Sequence, residues 1–366
     1  MARFPPSHGV HQPPISTRDA EDPALHIYNH GVHRDAFLSL LDVNLPAELW
    51  RLIAQVPRGC VTTYGALADA LGDRVAARWV GELLMDHAHD VDCPCHRVVR
   101  RNGEPGLYIA GGAAAKLSRL ASEGIPIEHG RASLERHFAG FQSAAPLRGL
   151  KEFQQQVPAR LDLRCFDGTV RRIAALDMAY VSSSTAVAVG VIADATSLET
   201  MSTLTITSPV MFPYISGYLA FRELPALLSL WKQMQSAAPA ADVVLIDGNG
   251  SLHPRRAGIA ACFGLLTDVP TIGIGKSLLC GRVDVAGLRV GDTRPVIDRD
   301  ELIGLAVKSA DRSRPIFVSA GNYVDIPQAA QLVQRMFAGH RLPEPLHQAD
   351  RLTKQRVREL RMPSSS

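Results

Sequence analysis

Helical periodicity dominates the first half of the chain. The segments "CVTTYGALADALG" and "DRVAARWVGELLMD" each repeat apolar residues every three or four positions, and Gly72 marks the turn between them. Two helices joined by so short a turn are typical of a helix-turn-helix, whose second helix normally faces DNA. A generic helical hairpin has the same pattern and is the commoner structure, so both interpretations stay open on periodicity alone.

The second half changes from helical periods to short apolar runs that predict strands. Three consecutive runs have this character, namely "VRRIAALDMAY", "TAVAVGVIAD" and "ETMSTLTI". Further short strands follow, "DVVLIDGNG", "PTIGIGK" and "PIFVSAG", with the helical segment "AGIAACFGLLTD" between the first two. Strands first and then strands alternating with helices predict a mixed sheet flanked by helices.

Length and composition predict two α/β domains. At 366 residues the chain exceeds one ordinary domain, and 46% hydrophobic with 20% charged residues is typical of globular protein. We predict a disordered leader over residues 1–30 and a first domain over 31–127. Periodicity then fades, which predicts a linker over 128–148 before a second domain over 149–366.

Charge and apolar runs exclude several classes of protein. A net charge of +3 is too small for binding nucleic acid through overall charge, so local clusters such as Arg97, Arg100 and Arg101 must make any DNA contact. No apolar run approaches the roughly 20 residues of a membrane span, and the N-terminus lacks a secretory signal. Six scattered cysteines form no disulfide framework, so we expect a cytoplasmic protein with free thiols.

The stretch "HAHDVDCPCHRVV", residues 87–99, is either a metal site or the surroundings of a nucleophile. Its H-x-H and C-x-C spacings differ from those of ordinary structural zinc sites, and an extended backbone would send the two sulfurs apart. A nucleophilic cysteine must ionise, and Cys95 precedes His96 and Arg97. From these residues alone, a nucleophile and a small buried apolar residue are equally plausible for Cys95.

Four motifs in order resemble the O6-alkylguanine-DNA alkyltransferases. "PCHRVV" resembles the active-site signature of that family, "TYGALA" and "AARWVG" resemble its two DNA-binding helices, and "NGEPGLYIAGG" with "SEG" resembles the elements that follow the nucleophile. The resemblance covers residues 45–127, the C-terminal domain of the family. It implies a small helix-turn-helix domain that accepts an alkyl group from DNA without a cofactor.

The same resemblance implies a role for each matching residue. Cys95 would attack the alkyl carbon on guanine O6, His96 would take the thiol proton through a water, and Glu123 would polarise His96. The target base lies inside the duplex and must be flipped out. We expect contacts with DNA or the flipped base from Tyr64, Arg78 and Tyr108, and from Arg97 in the basic cluster.

The chain departs from the alkyltransferase pattern at several positions around this site. His87 stands where the family usually has an asparagine, and Asp92 and Cys93 replace apolar residues. Ile109 and Ala110 stand where the family often has a serine that reaches the guanine. These departures leave the range of accepted alkyl groups open.

Three carboxylates stand out in the second half: Asp177 within an apolar strand, Glu223 in a helix and Asp247 at the end of a buried strand. Any one of them alone is most simply a cap or a salt-bridge partner. The three carboxylates together predict a site of hard oxygen ligands for Mg²⁺ or Mn²⁺. His253 and Lys276 are further candidates for the same site. Such a site suits metal-assisted phosphodiester cleavage.

Four further motifs resemble endonuclease V, the deoxyinosine-specific repair nuclease with a ribonuclease-H-like fold. They are "PYISGYLAFRELP", "LIDGNGSLHPRRAGIA", "PTIGIGKSLL" and "RLPEPLHQADRLTK", spread over residues 149–360. The resemblance implies cleavage 3′ to the deaminated base. It also implies that Asp177, Glu223 and Asp247 bind the metal.

Roles for three other residues follow from this second resemblance. Lys276 would neutralise charge on the scissile phosphate, His253 would orient water or phosphate, and Tyr214 would belong to the wedge that parts the strands. Ser216, Asn249 and Asn322 replace a proline and two histidines that are common in the family. None of these departures removes a carboxylate.

The sequence therefore predicts a bifunctional DNA-repair enzyme that acts on double-stranded DNA carrying O6-alkylguanine or deoxyinosine. Two alternatives remain open. The front half would be a lesion-binding or metal- or redox-sensing helix-turn-helix without catalysis, and the back half would be a ribonuclease that cuts inosine-containing RNA.

Overall fold

The computed structural model describes residues 37, 39, 40, 43–90 and 92–362. The leader predicted for residues 1–30 and the predicted start of the first domain lie outside the described residues. Within the described part of the chain, no helix combines the length and apolarity needed to cross a bilayer.

The first half is a small, mainly helical region. Its helices are α1 (Leu45–Ile53), α2 (Tyr64–Leu71), α3 (Ala77–Leu83) and α4 (Gly112–Ser122). Two pairs of very short strands complete it: β1 (Thr62–Thr63) with β2 (Val98–Val99), and β3 (Ile127–Glu128) with β4 (Arg131–Ala132). The two helices predicted from periodicity are therefore present as α2 and α3.

The turn between α2 and α3 depends on local capping. The Thr63 side chain accepts a hydrogen bond from Ala66 N at the start of α2. Gly72 ends α2 with φ of 108°, and a Cβ at this position would lie 2.5 Å from Arg148 N. Asp73 then caps the 3₁₀ turn that leads into α3. Glycine is thus required both by the left-handed backbone and by the close approach of the second half.

The second half contains one eight-stranded mixed sheet, as predicted. Its strands lie in the order β10-β11-β12-β9-β8-β5-β6-β7, and only the β5–β8 and β8–β9 pairs are parallel. The strands are β5 (Arg172–Tyr180), β6 (Thr185–Asp194), β7 (Thr200–Pro209), β8 (Val243–Asp247), β9 (Thr271–Gly275), β10 (Thr293–Asp298), β11 (Glu301–Val307) and β12 (Ile316–Asn322).

Helices cover both faces of this sheet. They are α5 (Pro146–Gln156), α6 (Leu219–Ala237), α7 (Ile259–Thr267), α8 (Ile326–Arg335) and α9 (Glu344–Arg361). Side chains alternate along β5, so Ala174 and Leu176 join the core under α6 and α7, while Ile173 and Ala175 join the core under α8 and α9. Burial on both faces explains why β5 reads as an almost continuous apolar run.

The segment predicted as a linker is folded against the first half. It contains β3 and β4 at its start, and Phe138 N donates to Val61 O. Gln142 N then bonds the side chain of Gln55. The prediction of a linker over residues 128–148 was wrong, because these residues pair with backbone and side chains of the first half.

The two halves also share one apolar core. Phe37 stacks on Phe221 of α6 with 5.5 Å between ring centroids, and Phe153 of α5 packs against both rings. The hydroxyl of Tyr218 donates to Asp73 Oδ2 at 2.7 Å across the boundary. The helix-turn-helix region and the sheet domain therefore pack against each other through this core.

Candidate active sites

The first site surrounds the thiol of Cys95. This residue lies in the 3₁₀ turn Pro94–Arg97 and is only 2% exposed. Burial raises the pKa of the thiol to about 12. Without a further partner, Cys95 is a neutral thiol at physiological pH and a weak nucleophile.

His96 and Glu123 lie in direct contact. His96 Nε2 donates to Glu123 Oε1 at 2.9 Å, while Nδ1 lies 3.1 Å from the backbone oxygen of Cys93. Burial opposes the charge on Glu123, but hydrogen bonds from Arg97 and His96 outweigh it and lower its pKa to about 2. Both ring nitrogens of His96 thus face acceptors, and neither is directed at the Cys95 sulfur.

Arg97 occupies an internal position. Its guanidinium donates to both oxygens of Glu123 and to the backbone oxygen of Val56, the last at 2.8 Å. The prediction that Arg97 contacts DNA does not fit this geometry, because its donors are already used inside the domain. The sequence showed a basic cluster but could not show which of its members points inward.

His89 is the imidazole that reaches the acceptor thiol, and sequence reasoning missed it. Its Nδ1 lies 3.5 Å from Cys95 Sγ, and its Nε2 lies 3.4 Å from the hydroxyl of Tyr108. Cys93 Sγ lies 3.4 Å from His87 Nε2. The argument that the C-x-C spacing separates the sulfurs was wrong, since Cys93 precedes a 3₁₀ turn rather than an extended strand.

Lys116 is a second residue that the sequence analysis missed. It is fully buried on α4, donates to Pro105 O at 2.7 Å and lies 3.4 Å from the hydroxyl of Tyr64. Burial lowers its pKa to about 8. The signal in the sequence is a single lysine within the small apolar run of "GGAAAKL".

An open cavity of about 790 Å³ lies beside this site. Tyr64, whose hydroxyl lies 3.4 Å from Lys116 Nζ, forms one wall, and Arg78 on α3 forms another. A Cβ at Gly106 would lie 2.8 Å from the Tyr64 hydroxyl, and Gly106 has φ of 67°. The Arg78 side chain is 86% exposed and pairs only loosely with Glu82 at the surface, so it is available to DNA.

The second site lies where the parallel pairing of β5 with β8 ends. Leu176 of β5 pairs with Ile246 of β8, which brings Asp177 and Asp247 side by side. Asp350 joins them from α9, and one oxygen from each of the three carboxylates lies within 4.8 Å of the others. This set of hard oxygen donors fits a divalent cation such as Mg²⁺ or Mn²⁺.

Lys276 provides the positive charge of the second site. Its Nζ donates to Asp247 Oδ2 at 2.5 Å and to Asp350 Oδ1 at 2.7 Å. Burial opposes the charged form of Lys276, but these carboxylates outweigh it and raise the lysine pKa. Burial and the neighbouring Asp247 raise the pKa of Asp177 well above its usual value, although Thr353 donates a hydrogen bond to it. Such a carboxylate ionises fully only when more positive charge arrives.

The predicted metal set needs one correction. Glu223 is not among the carboxylates within 4.8 Å of one another, and its place is taken by Asp350. Glu223 Oε1 instead accepts a hydrogen bond from Tyr180 at 2.8 Å, and burial raises its pKa to about 7. The motif containing Asp350 was recognised in the sequence, but its acidic residue was not singled out.

A separate cavity of about 220 Å³ in the same domain is lined in part by His253 and Tyr214. Burial lowers the pKa of His253 to about 4, so its ring is neutral, and Nδ1 accepts from Arg255 N at 3.2 Å. Tyr214 is 60% exposed at the rim. Asn249 also lines the cavity, and its buried Oδ1 has no hydrogen-bond partner among the described residues.

The substitution at Asn322 has a structural explanation. Its Nδ2 donates to Gly264 O at 3.2 Å, and its Oδ1 accepts from Asp162 N at 3.0 Å. This residue therefore fixes neighbouring backbone and does not belong to the carboxylate group.

Together, the mixed sheet with carboxylates at its parallel strand ends and the helix-turn-helix with a buried cysteine define a two-site enzyme that acts on DNA. The family model for endonuclease V matches residues 152–351, and the model for the DNA-binding domain of 6-O-methylguanine DNA methyltransferase matches residues 44–125. The chain belongs to the endonuclease V family and is fused to a methyltransferase domain, as the sequence predicted.

Relatives and solved structures agree with this assignment. The bifunctional methyltransferase/endonuclease of Picrophilus torridus is 37% identical over 66% of this chain and 77% of its own length. That of Thermoplasma volcanium is 35% identical over 80% and 84%, respectively. Both are named for the two activities that the sequence predicts, which confirms a bifunctional enzyme.

The sheet domain resembles the catalytic domain of human endonuclease V, with a TM-score of 0.56, 30% identity and coverage of 60% of this chain and 98% of that one. A Ciona intestinalis endonuclease V bound to a 24mer DNA that contains an inosine has a TM-score of 0.53, 26% identity and coverage of 58% and 98%. The predicted two-domain α/β fold is confirmed, and the family implies a divalent metal for catalysis.

Proposed function

We propose that the protein repairs two kinds of altered base in double-stranded DNA. The first half transfers an alkyl group from O6-alkylguanine to Cys95 and is consumed by the reaction. The second half cuts the strand 3′ to deoxyinosine or another deaminated base, with Mg²⁺ or Mn²⁺. The observation that carries this proposal is the convergence of Asp177, Asp247 and Asp350 in the domain that matches endonuclease V.

Alkyl transfer requires the target guanine to leave the duplex. Arg78 is exposed on α3, the second helix of the helix-turn-helix, and is the side chain best placed to fill the gap in the stack. The flipped base would enter the cavity beside Tyr64, whose hydroxyl would protonate the leaving guanine. Tyr108 would contact the base from the buried side.

Strand cleavage would depend on a divalent cation held by the three carboxylates. A divalent ion bound there supplies a water of lowered pKa and polarises the phosphate. Asp177 and Asp247 hold the position from the sheet, and Asp350 holds it from α9. Lys276 bonds two of these carboxylates and would shift toward the scissile phosphate when a cation takes its place. Glu223 remains a proposed participant, since its buried carboxyl interacts electrostatically with Asp247.

The smaller cavity suits the flipped deaminated base. Tyr214 lies exposed at its rim, where it can separate the strands, and the unpaired oxygen of Asn249 offers an acceptor to a base N–H. His253 is neutral and lines this cavity, so we propose that it contacts the base or a nearby phosphate rather than the metal. The inosine-containing DNA bound by the Ciona intestinalis enzyme supports this class of substrate.

A single duplex that carries both lesions tests the two activities together. Intact mass spectrometry should show one added alkyl group on the peptide containing Cys95, and gel analysis should show a nick 3′ to deoxyinosine that requires Mg²⁺. An inosine-containing RNA of the same sequence tests the ribonuclease alternative.

The six free cysteines support a reducing, cytoplasmic location.

Replacing Arg78 with alanine should slow alkyl transfer from duplex DNA by about 10- to 100-fold, because unstacking a base costs a few kcal/mol that Arg78 helps to offset. Transfer from free O6-benzylguanine should change little, since that compound needs no flipping. Arg74→Ala, in the neighbouring 3₁₀ turn, is the control variant. An equal loss on both substrates would show that Arg78 acts on the fold of the site and not on flipping.

Replacing Asp350 with asparagine should raise the Mg²⁺ concentration needed for half-maximal nicking by about 10-fold or more, because one charged ligand is lost. Glu359→Gln on the exposed side of the same helix is the matched control. A magnesium titration of nicking rates measures both. An unchanged titration curve for Asp350→Asn would remove Asp350 from the metal site.

A further inference from the structure

The acceptor sulfur belongs to a group of four potential metal ligands that the alkyl-transfer proposal does not use. His87, His89, Cys93 and Cys95 each direct one ligand atom into the same space, and all four atoms lie within 4.8 Å of one another. Three of these side chains are partly buried, and Cys95 is fully buried. Among the described residues, this is the one group of this kind that contains sulfur.

Three of the six separations among these ligand atoms match the edges of a tetrahedron around zinc. Zinc lies about 2.3 Å from sulfur and about 2.0 to 2.1 Å from nitrogen, so tetrahedral ligands are separated by about 3.3 to 3.8 Å. In the protein, His87 Nε2 lies 3.4 Å from His89 Nδ1 and 3.4 Å from Cys93 Sγ. His89 Nδ1 lies 3.5 Å from Cys95 Sγ. Direct hydrogen bonds alone do not require four groups to converge in this arrangement.

Surrounding side chains orient the two imidazoles. The Tyr108 hydroxyl lies 3.4 Å from His89 Nε2, the nitrogen that faces away from the four-atom cluster. The Trp50 ring packs on His87 with 4.7 Å between ring centroids. Partners of this kind fix the ring orientation of metal-binding histidines.

We propose that His87, His89, Cys93 and Cys95 bind one zinc ion, so that the acceptor sulfur is a metal-bound thiolate. Two thiolates with two imidazoles in a closed tetrahedron are the ligand set of zinc sites of the Cys₂His₂ type. This replaces the expectation that the acceptor site needs no metal. It also gives a common reason for two of the departures from the alkyltransferase pattern, His87 and Cys93.

Zinc binding has a consequence for alkyl transfer, and this part rests on the proposed function. The Cys95 sulfur forms a bond to the alkyl carbon, the bond from that carbon to guanine O6 breaks, and its electron pair stays on the guanine, which takes a proton from Tyr64 or water. The product is a neutral thioether, a weaker zinc ligand than a thiolate. Alkylation should therefore release the ion.

Cobalt substitution tests the site in the full-length chain. Co²⁺ added to chelator-treated, reduced protein should produce thiolate-to-cobalt charge-transfer absorption and the visible bands of a tetrahedral site, saturating at about one equivalent. Cobalt on the carboxylate group does not produce the sulfur band, so the two sites are distinguished. Zinc should displace the cobalt and bleach both features.

Variants show whether these four residues form the site. Cys93→Ser should lose most of the charge-transfer absorption, and His87→Asn, which installs the residue usual in the alkyltransferase family, should weaken cobalt binding at least about 10-fold. Cys60→Ser, in the same region but outside the cluster, should behave as the parent. Nicking of deoxyinosine DNA by each variant reports whether the chain is folded.

The outcomes separate this proposal from the proposed function. Three results would each overturn the zinc site. They are absence of the sulfur band, equal bands in Cys93→Ser and the parent, and a Cys93–Cys95 disulfide that persists after reduction. Methyl transfer measured on the same preparation is independent of those results: a bound ion with no mass gain on Cys95 would overturn the acceptor function alone. If both hold, a chromogenic zinc chelator should detect release of the ion in step with alkylation.

Discussion

Nicking at deoxyinosine will fall by about 10³-fold or more when Asp177 is replaced by asparagine, because the bound metal supplies several kcal/mol to the transition state and each 1.36 kcal/mol is worth tenfold in rate. Asparagine keeps the shape of the side chain but removes the charge. Asp177 lies between Asp247 and the Thr353 hydroxyl, fully inside the domain, so no other carboxylate can replace it. A single-turnover nicking assay at saturating Mg²⁺ measures the loss.

The control for this prediction is Asp311→Asn, a substitution of the same kind at an exposed position of the same domain. The Asp177 variant should still transfer an alkyl group to Cys95 at the parental rate, which shows that the shared core is intact. Nicking within tenfold of the parent would mean that Asp177 does not hold the catalytic ion.

Cys95→Ser will eliminate alkyl transfer altogether. A hydroxyl in this buried position does not ionise at neutral pH, and it neither attacks the alkyl carbon nor binds a soft metal as a thiolate does. Mass spectrometry after incubation with an excess of O6-methylguanine duplex should show no added methyl group on any peptide. Binding to the same duplex should persist, since Arg78 and the helix-turn-helix are unchanged.

Cys165→Ser provides the comparison, because Cys165 is an exposed thiol outside the first site. It should gain one methyl group like the parent. A methyl group on another cysteine of the Cys95 variant would show that the acceptor had been wrongly assigned. Deoxyinosine nicking by Cys95→Ser should equal that of the parent.

In the second site, the sequence could predict the two carboxylates that lie on strands, Asp177 and Asp247. Asp177 and Asp247 each interrupt or end an apolar run, and buried runs of that kind become neighbouring parallel strands. Asp350 could not be predicted in this way, because it lies about a hundred residues further along, on the buried face of α9. Periodicity shows which face of a helix is buried but not which strand it covers.

The first site shows a different limit of sequence reasoning. The spacing of Cys93 and Cys95 argued against shared coordination only if the backbone were extended, and the 3₁₀ turn at Pro94 removes that condition. Arg97 and the supposed linker were misjudged for a related reason, since their partners, Glu123 and Gln55, are distant in sequence. Local pattern predicted elements well and tertiary partners poorly.

The packed boundary between the halves has a consequence for the lifetime of the protein. The acceptor half works once, whereas the nuclease half turns over, yet Phe37, Phe153 and Phe221 join them in one core. A cell that destroys molecules with an alkylated acceptor would therefore also destroy nucleases that still work. Exposure to alkylating agents would in this way reduce the amount of working nuclease for deaminated bases, although no deaminated base had been formed.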